Sequence, residues 1–117
     1  ANLTATGSAV VGADTVTLVG TGMPNVATAL YFQGTAQTST LFGDGLRCVG
    51  GTVIRLGTKT NAGGASQYPA PGDLTVSVRG AVPAGATRNY QCWYRNAAAF
   101  CTASTFNLTN GMQIVWQ

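Results

Sequence analysis

The sequence predicts an all-β domain: a two-sheet antiparallel β-sandwich, or a jelly-roll-like relative of it, with about eight or nine short strands. Three observations predict this class. Apolar and polar residues alternate with a period of two in several segments, no segment shows a competing helical period, and clusters of turn-forming residues interrupt the alternation at short intervals. A chain of 117 residues is of ordinary single-domain size, so we assign residues 1–117 to one domain.

The alternation is clearest in the second half of the chain. Leu74–Arg79 places apolar and polar side chains on opposite faces, and Met112–Trp116 repeats the pattern with Trp116 on the inward face. In Tyr90–Arg95 the two tyrosines and Cys92 share one face. The other predicted strands are Leu3–Val11, Thr15–Gly20, Ala29–Gly34, Leu46–Val49, Thr52–Thr58 and Thr105–Leu108.

Glycine, proline and asparagine separate these strands. Asn110-Gly111 lies between two alternating segments and predicts a tight hairpin. Gly50-Gly51 predicts a break between two short strands, and Asn61–Gly72 predicts the longest loop. No second domain or linker is indicated.

The charge content is unusually low. Six Lys and Arg residues and three Asp residues make up 8% of the chain, against about 25% in an average protein. The six cations are scattered, which argues against nucleic-acid binding, and no apolar segment is long enough to insert into a membrane as a helix. A surface of hydroxyl and amide groups suits a secreted protein, at the cell surface or in an extracellular matrix, that packs against copies of itself.

The sequence lacks the residues that most enzymes use for proton transfer. It has neither His nor Glu, and its three aspartates, Asp14, Asp44 and Asp73, have turn-like neighbours. Asp44, between two glycines, would suit calcium only together with backbone carbonyls. We therefore predict no catalytic residues, no metal site and no cofactor.

The three cysteines, Cys48, Cys92 and Cys101, leave one thiol over after any pair forms. Their spacing lacks the motifs of a zinc site, so disulfide chemistry in an oxidising compartment is favoured. Cys48 and Cys92 both alternate with polar neighbours and are predicted to point inward.

Several segments together resemble a poorly characterised β-sandwich module that recurs near the C-termini of large secreted and surface proteins of environmental bacteria. The resemblance spans residues 30–116 and is carried by Leu41–Gly51, Arg88–Asn96, Phe100-Cys101 and Phe106–Leu108. It implies an extracellular location, a non-catalytic role and a disulfide between Cys48 and Cys101.

Cys92 departs from that module, which has an ordinary apolar residue at this place. With Cys48 and Cys101 bridged, Cys92 is either a free thiol or bonded to another chain. Its inward position leaves a Cys48–Cys92 bridge open as the alternative.

Two functions follow from these features. The first is a structural or adhesive module, a subunit of an extracellular fibre or surface layer that self-associates through its terminal strands. The alternative is a carbohydrate-binding module that stacks a polysaccharide on exposed aromatic rings. Trp93 lies on the polar face of its strand and is the best candidate ring, and Tyr31 in its strand and Tyr68 in the long loop are further candidates.

Overall fold

A computed structural model describes residues 2–23, 27–42, 45–95 and 106–117. Within these ranges the chain forms eight β-strands and one short helix. In chain order they are β1 (Asn2–Thr6), β2 (Thr17–Thr21), β3 (Thr28–Phe42), β4 (Gly45–Thr60), β5 (Ser66–Tyr68), α1 (Val76–Arg79), β6 (Thr87–Arg95), β7 (Phe106–Leu108) and β8 (Met112–Val115).

The strands form two antiparallel sheets. The smaller sheet has the order β1-β2-β5. In the larger sheet β4 pairs with β3, β3 pairs with β6, and β7 and β8 both pair with β6. The prediction of an all-β chain with two antiparallel sheets is confirmed.

One hydrophobic core contains side chains from both sheets. Leu3 and Leu18 come from the smaller sheet, whereas Tyr31, Tyr90 and Cys92 come from the larger one. All five are 3% exposed or less. Successive side chains of a strand point to opposite faces, so the strands of the larger sheet give alternate residues to this core and the others to the face behind it.

The hairpin of β3 and β4 is much longer than predicted. The predicted short strands Leu46–Val49 and Thr52–Thr58 belong to one strand of 16 residues, and the predicted break at Gly50-Gly51 lies inside it. The pairing shifts register at three places along the hairpin. Gly51 takes a φ of +71° beside one of these shifts, a conformation that glycine adopts without strain. The glycines therefore mark an irregularity within the hairpin and do not end a strand.

The part of this hairpin that includes Gln37, Cys48 and Val49, here called the distal hairpin, lies against the face of the larger sheet behind the core. The backbone N–H of Cys48 donates to the side-chain oxygen of Gln91 over 2.9 Å. Val49 is fully buried and forms a second, smaller hydrophobic cluster with Phe32 and Leu108. This part of the face is therefore covered by the chain itself.

We expect Gly34→Ala to lower the free energy of unfolding by about 1–3 kcal/mol, because it overfills this contact. A Cβ at residue 34 would lie 2.4 Å from the Gly50 carbonyl oxygen and 2.5 Å from the Val49 side chain. Urea denaturation measures the loss. Gly50→Ala is the control and should cost less, since its Cβ would approach only the Thr38 side chain, at 3.2 Å. Equal midpoints for Gly34→Ala and the parent would contradict the contact.

The predicted strand Leu74–Arg79 is wrong, because this segment contains the single helical turn α1. Tertiary contacts outweigh the strand preference that the alternation of apolar and polar residues indicates. Two successive residues, Val76 and Ser77, are buried, and the Ser77 hydroxyl donates to the buried Asp14 carboxylate over 2.6 Å. The Asp14 bond fixes the turn on the core, and Leu74, which the pattern predicted to be buried, is 57% exposed.

The predicted hairpin at Asn110-Gly111 is also wrong. Strands β7 and β8 do not pair with each other but lie one after the other along β6. The Asn110 side chain instead accepts a hydrogen bond from the N–H of Leu3 (2.8 Å) and donates to its carbonyl (3.2 Å). An asparagine amide can bond a backbone in this way, which explains its place at the break between β7 and β8. The predicted loop Asn61–Gly72 contains the short strand β5.

Candidate functional site

The outer face of the larger sheet, which points away from the core, carries a row of apolar side chains. Tyr31 of β3 lies opposite Cys92 of β6, and both are buried in the core. Their neighbours Leu30 and Trp93 form the next cross-strand pair and therefore point to the outer face. Phe32, two residues beyond Leu30, lies on that face as well.

These residues line an open groove of about 610 Å³, here called the Trp93 groove. Leu30 and Phe32 come from β3 and Trp93 from β6, the two central strands, and Trp93 is partly exposed in the groove. Strand β4 and helix α1 supply the remaining sides. The described residues of the lining are Thr28, Leu30, Phe32, Val53, Arg55, Leu56, Gly57, Thr58, Arg79 and Trp93.

The charged residues of the groove are both basic. Arg55 projects from β4 and Arg79 from the end of α1, and both are exposed. The Arg79 Nε–H donates to the Leu56 carbonyl over 3.2 Å, which anchors the guanidinium at the edge of the groove. Among the described lining residues there is no aspartate, so these residues contribute a positive potential.

Two aspartates of the described residues have partners outside the groove. Lys59 forms an ion pair with Asp73, and this contact, together with the Ala70 N–H, holds the pKa of the Asp73 carboxyl below its usual value. Asp14 accepts hydrogen bonds from Ser77 at the base of α1. Asp44, the predicted calcium candidate, lies outside the described residues.

The three predicted sugar-stacking residues do not come together. Trp93 lies in the groove, but Tyr31 is 0% exposed and Tyr68 is 2% exposed. The prediction that these two tyrosines present their rings to a sugar is therefore corrected. Both rings pack inside the domain.

The two buried tyrosines satisfy their hydroxyl groups internally. The Tyr31 hydroxyl accepts from the Gly20 N–H (3.1 Å) and shares a 2.8 Å hydrogen bond with Ser66. The Tyr68 hydroxyl donates to the Leu74 carbonyl over 3.0 Å. These hydrogen bonds replace the ones that each buried hydroxyl would make with water, and they offset the free-energy cost of burying a polar group.

Sequence reasoning missed Phe32, Arg55 and Arg79 as groove residues. The signal for Phe32 was present, because Leu30, Tyr31 and Phe32 are apolar in succession, as expected of a strand that contacts something on both faces. The two arginines gave no such signal. They lie 24 positions apart in the sequence and meet only because α1 packs beside β4.

Cys92 is a free thiol in the core, at 0% exposure. Burial raises the pKa of this thiol to about 12. The structure therefore does not contain the alternative bridge between Cys48 and Cys92, and a bond from the buried Cys92 sulfur to another chain would require the core to open. Cys101 lies outside the described residues, so the Cys48–Cys101 disulfide stays a prediction.

We expect Cys92 to resist alkylation in the folded protein, because a protonated and buried thiol is a poor nucleophile. Iodoacetamide at about pH 8 should leave Cys92 unmodified, and peptide mapping should find the label there only after unfolding in guanidinium. Rapid labelling of Cys92 in native buffer would show that the core opens at this strand.

Alkaline pH should destabilise the domain. Burial raises the pKa of the Tyr31 hydroxyl to about 12, and it likewise raises the pKa of Tyr90. The unfolded chain releases these protons near pH 10, and that of Cys92 near pH 8.5. Since the folded pKa values are the higher ones, this stability is complete below about pH 8.5 and is lost as pH rises toward about 12. Urea denaturation across this range tests the prediction, which a constant midpoint up to about pH 11 would contradict.

Within the described ranges, no group of three or more His, Cys, Asp or Glu residues gathers to hold a metal ion. The helices found there include none of the length and apolarity required to cross a membrane. Comparisons with known protein families, with characterised proteins and with solved structures find no match to this chain.

Proposed function

We propose that this chain is a secreted, non-catalytic β-sandwich module that adheres to polysaccharide through the Trp93 groove. The observation that carries the proposal is a partly exposed tryptophan inside an open groove on a sheet face. The sandwich, of jelly-roll-like type, is supported by a core to which both sheets contribute.

An aromatic ring on a sheet is suited to a sugar ring. The C–H-rich face of a pyranose packs against the indole, and its hydroxyl groups bond with polar neighbours at the rim. Thr28 and Thr58 supply hydroxyls at this rim, and Phe32 and Leu30 extend the apolar floor. The volume of about 610 Å³ is within the range of small-molecule sites, and the open form accepts a chain that continues past both ends.

Adhesion is favoured over assembly into a fibre by the pairing of the chain ends. Strand β1 pairs with β2, and β8 pairs with β6, within the same chain. The last residue also bonds near the start of the chain: Val11 N–H donates to the Gln117 carbonyl (2.8 Å), and Gln117 N–H donates to the Ala9 carbonyl (2.9 Å). Each terminal strand thus has a partner strand within the chain, and on the β1 edge the N–H and carbonyl of Leu3 are also bonded to Asn110.

Secretion and the absence of catalysis are part of the proposal because of the composition. The chain has no His and no Glu, and its surface relies on hydroxyl and amide groups in place of charge. A β-sandwich with few loops and a rigid aromatic site is a common support for recognition outside the cell.

A glycan array probed with the purified domain, together with negative-stain microscopy of the same sample, tests this function. We expect binding to a subset of polysaccharides by a monomeric particle. Ordered filaments or sheets, combined with no signal on any glycan, would overturn the proposal and restore the structural subunit as the function.

A further inference from the structure

We infer that the Trp93 groove selects an anionic polysaccharide, one that carries a carboxylate or sulfate on the sugar beside Trp93. This inference rests on the proposed function and adds the ligand's charge to it. It is carried by two arginines, from two different elements, at the rim of one aromatic groove.

Neither of the two arginines has an acidic partner among the described residues. Among the described residues the ion pair is Lys59–Asp73, and neither Arg55 nor Arg79 takes part in it. The bond from Arg79 to the Leu56 carbonyl orients the guanidinium without neutralising it. A guanidinium has five N–H donors in a rigid fork, so most of those of Arg79 remain for a ligand.

The geometry of the guanidinium matches the geometry of the proposed ligand. A carboxylate or sulfate accepts two parallel N–H bonds from one arginine, and charge-assisted bonds of this kind are stronger than neutral ones. A neutral sugar would leave both arginines with water alone. Within the part of the lining that the structure describes, no acidic residue competes with the ligand for these arginines.

A nucleic acid is the other anionic chain with stacking rings, and the observations favour it less. Nucleic-acid sites follow the backbone with a row of basic side chains, because every nucleotide carries a charge. Here two cations lie beside one groove, and the net charge of the whole chain is only +3. Sparse charge with a hydroxyl-rich rim suits a sugar chain better.

The test compares matched glycans that differ only in charge. Uronic-acid oligosaccharides are immobilised beside their carboxyl-reduced, neutral counterparts, with sulfated glycans and oligothymidylate on the same surface. We expect the domain to bind at least one acidic glycan about tenfold or more tightly than its neutral counterpart at low ionic strength, a gap that shrinks with added salt.

Arg55→Gln and Arg79→Gln should each reduce that preference severalfold. Arg88→Gln removes the same charge at a position of β6 with the opposite alternation to Trp93, and it should leave the preference unchanged. Arg79→Gln also removes the hydrogen bond from Arg79 of α1 to the Leu56 carbonyl of β4. Arg55 is not the donor of that bond, so Arg55→Gln is the cleaner variant. Melting curves for all three confirm that they fold.

Each outcome has a distinct meaning. Equal binding to acidic and neutral members of a pair would overturn the charge selection and leave the proposed function standing. Binding to no glycan at all would overturn both. Tighter binding to oligothymidylate than to every acidic glycan would overturn the inference in favour of a nucleic-acid ligand.

Discussion

Replacing Trp93 by alanine is expected to weaken polysaccharide binding by about thirtyfold or more, the effect of removing a central aromatic contact from an interface. The indole is the largest ring on the outer face that is open to solvent, whereas Phe32 beside it is only 6% exposed. Loss of the indole therefore removes the stacking surface, and the described residues of the groove include no other ring of similar access. Affinity electrophoresis or calorimetry with the best glycan of the array measures the change.

Two controls separate this loss from a folding defect. Trp93→Phe retains a ring at the same position and should keep much of the affinity. Trp93 also packs against the cluster of Phe32, Val49 and Leu108, so the free energy of unfolding is measured for both variants. Unchanged glycan binding by a folded Trp93→Ala domain would show that the groove is not the site.

The strand pattern was predictable wherever one face of the sheet is buried and the other is not. The assignment of Trp93 to the face opposite Tyr90, Cys92 and Tyr94 is confirmed by the cross-strand pairs of β6. The inward position of Trp116 is confirmed as well. In these segments a period of two identifies the buried face, because every second side chain points into the core.

The pattern failed where the chain contacts itself on both faces. Gln91 lies on the polar face, as predicted, yet it is 0% exposed because the distal hairpin covers it and it accepts from Cys48 N–H. Likewise Tyr31 could not be distinguished from Leu30 and Phe32, since all three are apolar. A sequence period reports which residues share a face but not what lies on that face.

The remaining errors arise from single side chains that bond distant backbone. Asp14 holds Ser77 across 63 positions and fixes a helical turn where alternation predicts a strand. Asn110 bonds Leu3 across 107 positions and occupies the place of a predicted hairpin turn. Contacts between residues so far apart in the sequence leave no local pattern. Of the groove residues, only Trp93 was therefore predictable from the sequence.

The second tryptophan should behave in the opposite way to the first, as a residue of the core. Trp116 is 1% exposed, and its indole N–H donates to the Tyr90 hydroxyl over 3.0 Å. That hydroxyl donates to the Gln33 side chain (2.9 Å), which in turn donates to the Gly80 carbonyl (2.9 Å) beside α1. A buried chain of hydrogen bonds thus links the C-terminal segment to α1, the helical turn beside the groove. Removal of one side chain from it leaves the polar atom bonded to that side chain with one hydrogen bond fewer.

Trp116→Ala is therefore expected to lower the free energy of unfolding by about 3–5 kcal/mol, through a large cavity and the loss of the hydrogen bond that the buried Tyr90 hydroxyl accepts. Trp116→Phe should cost less, because it keeps a ring in the core and loses mainly the bond to Tyr90. Guanidinium denaturation followed by circular dichroism measures both. The same chain of hydrogen bonds ends beside α1, which carries Arg79. As the temperature is raised, the Trp116→Ala domain should therefore lose glycan affinity at a lower temperature than the Trp93→Phe domain. Equal free energies of unfolding for Trp116→Ala and Trp93→Ala would contradict the assignment of Trp116 to the core and of Trp93 to the binding site.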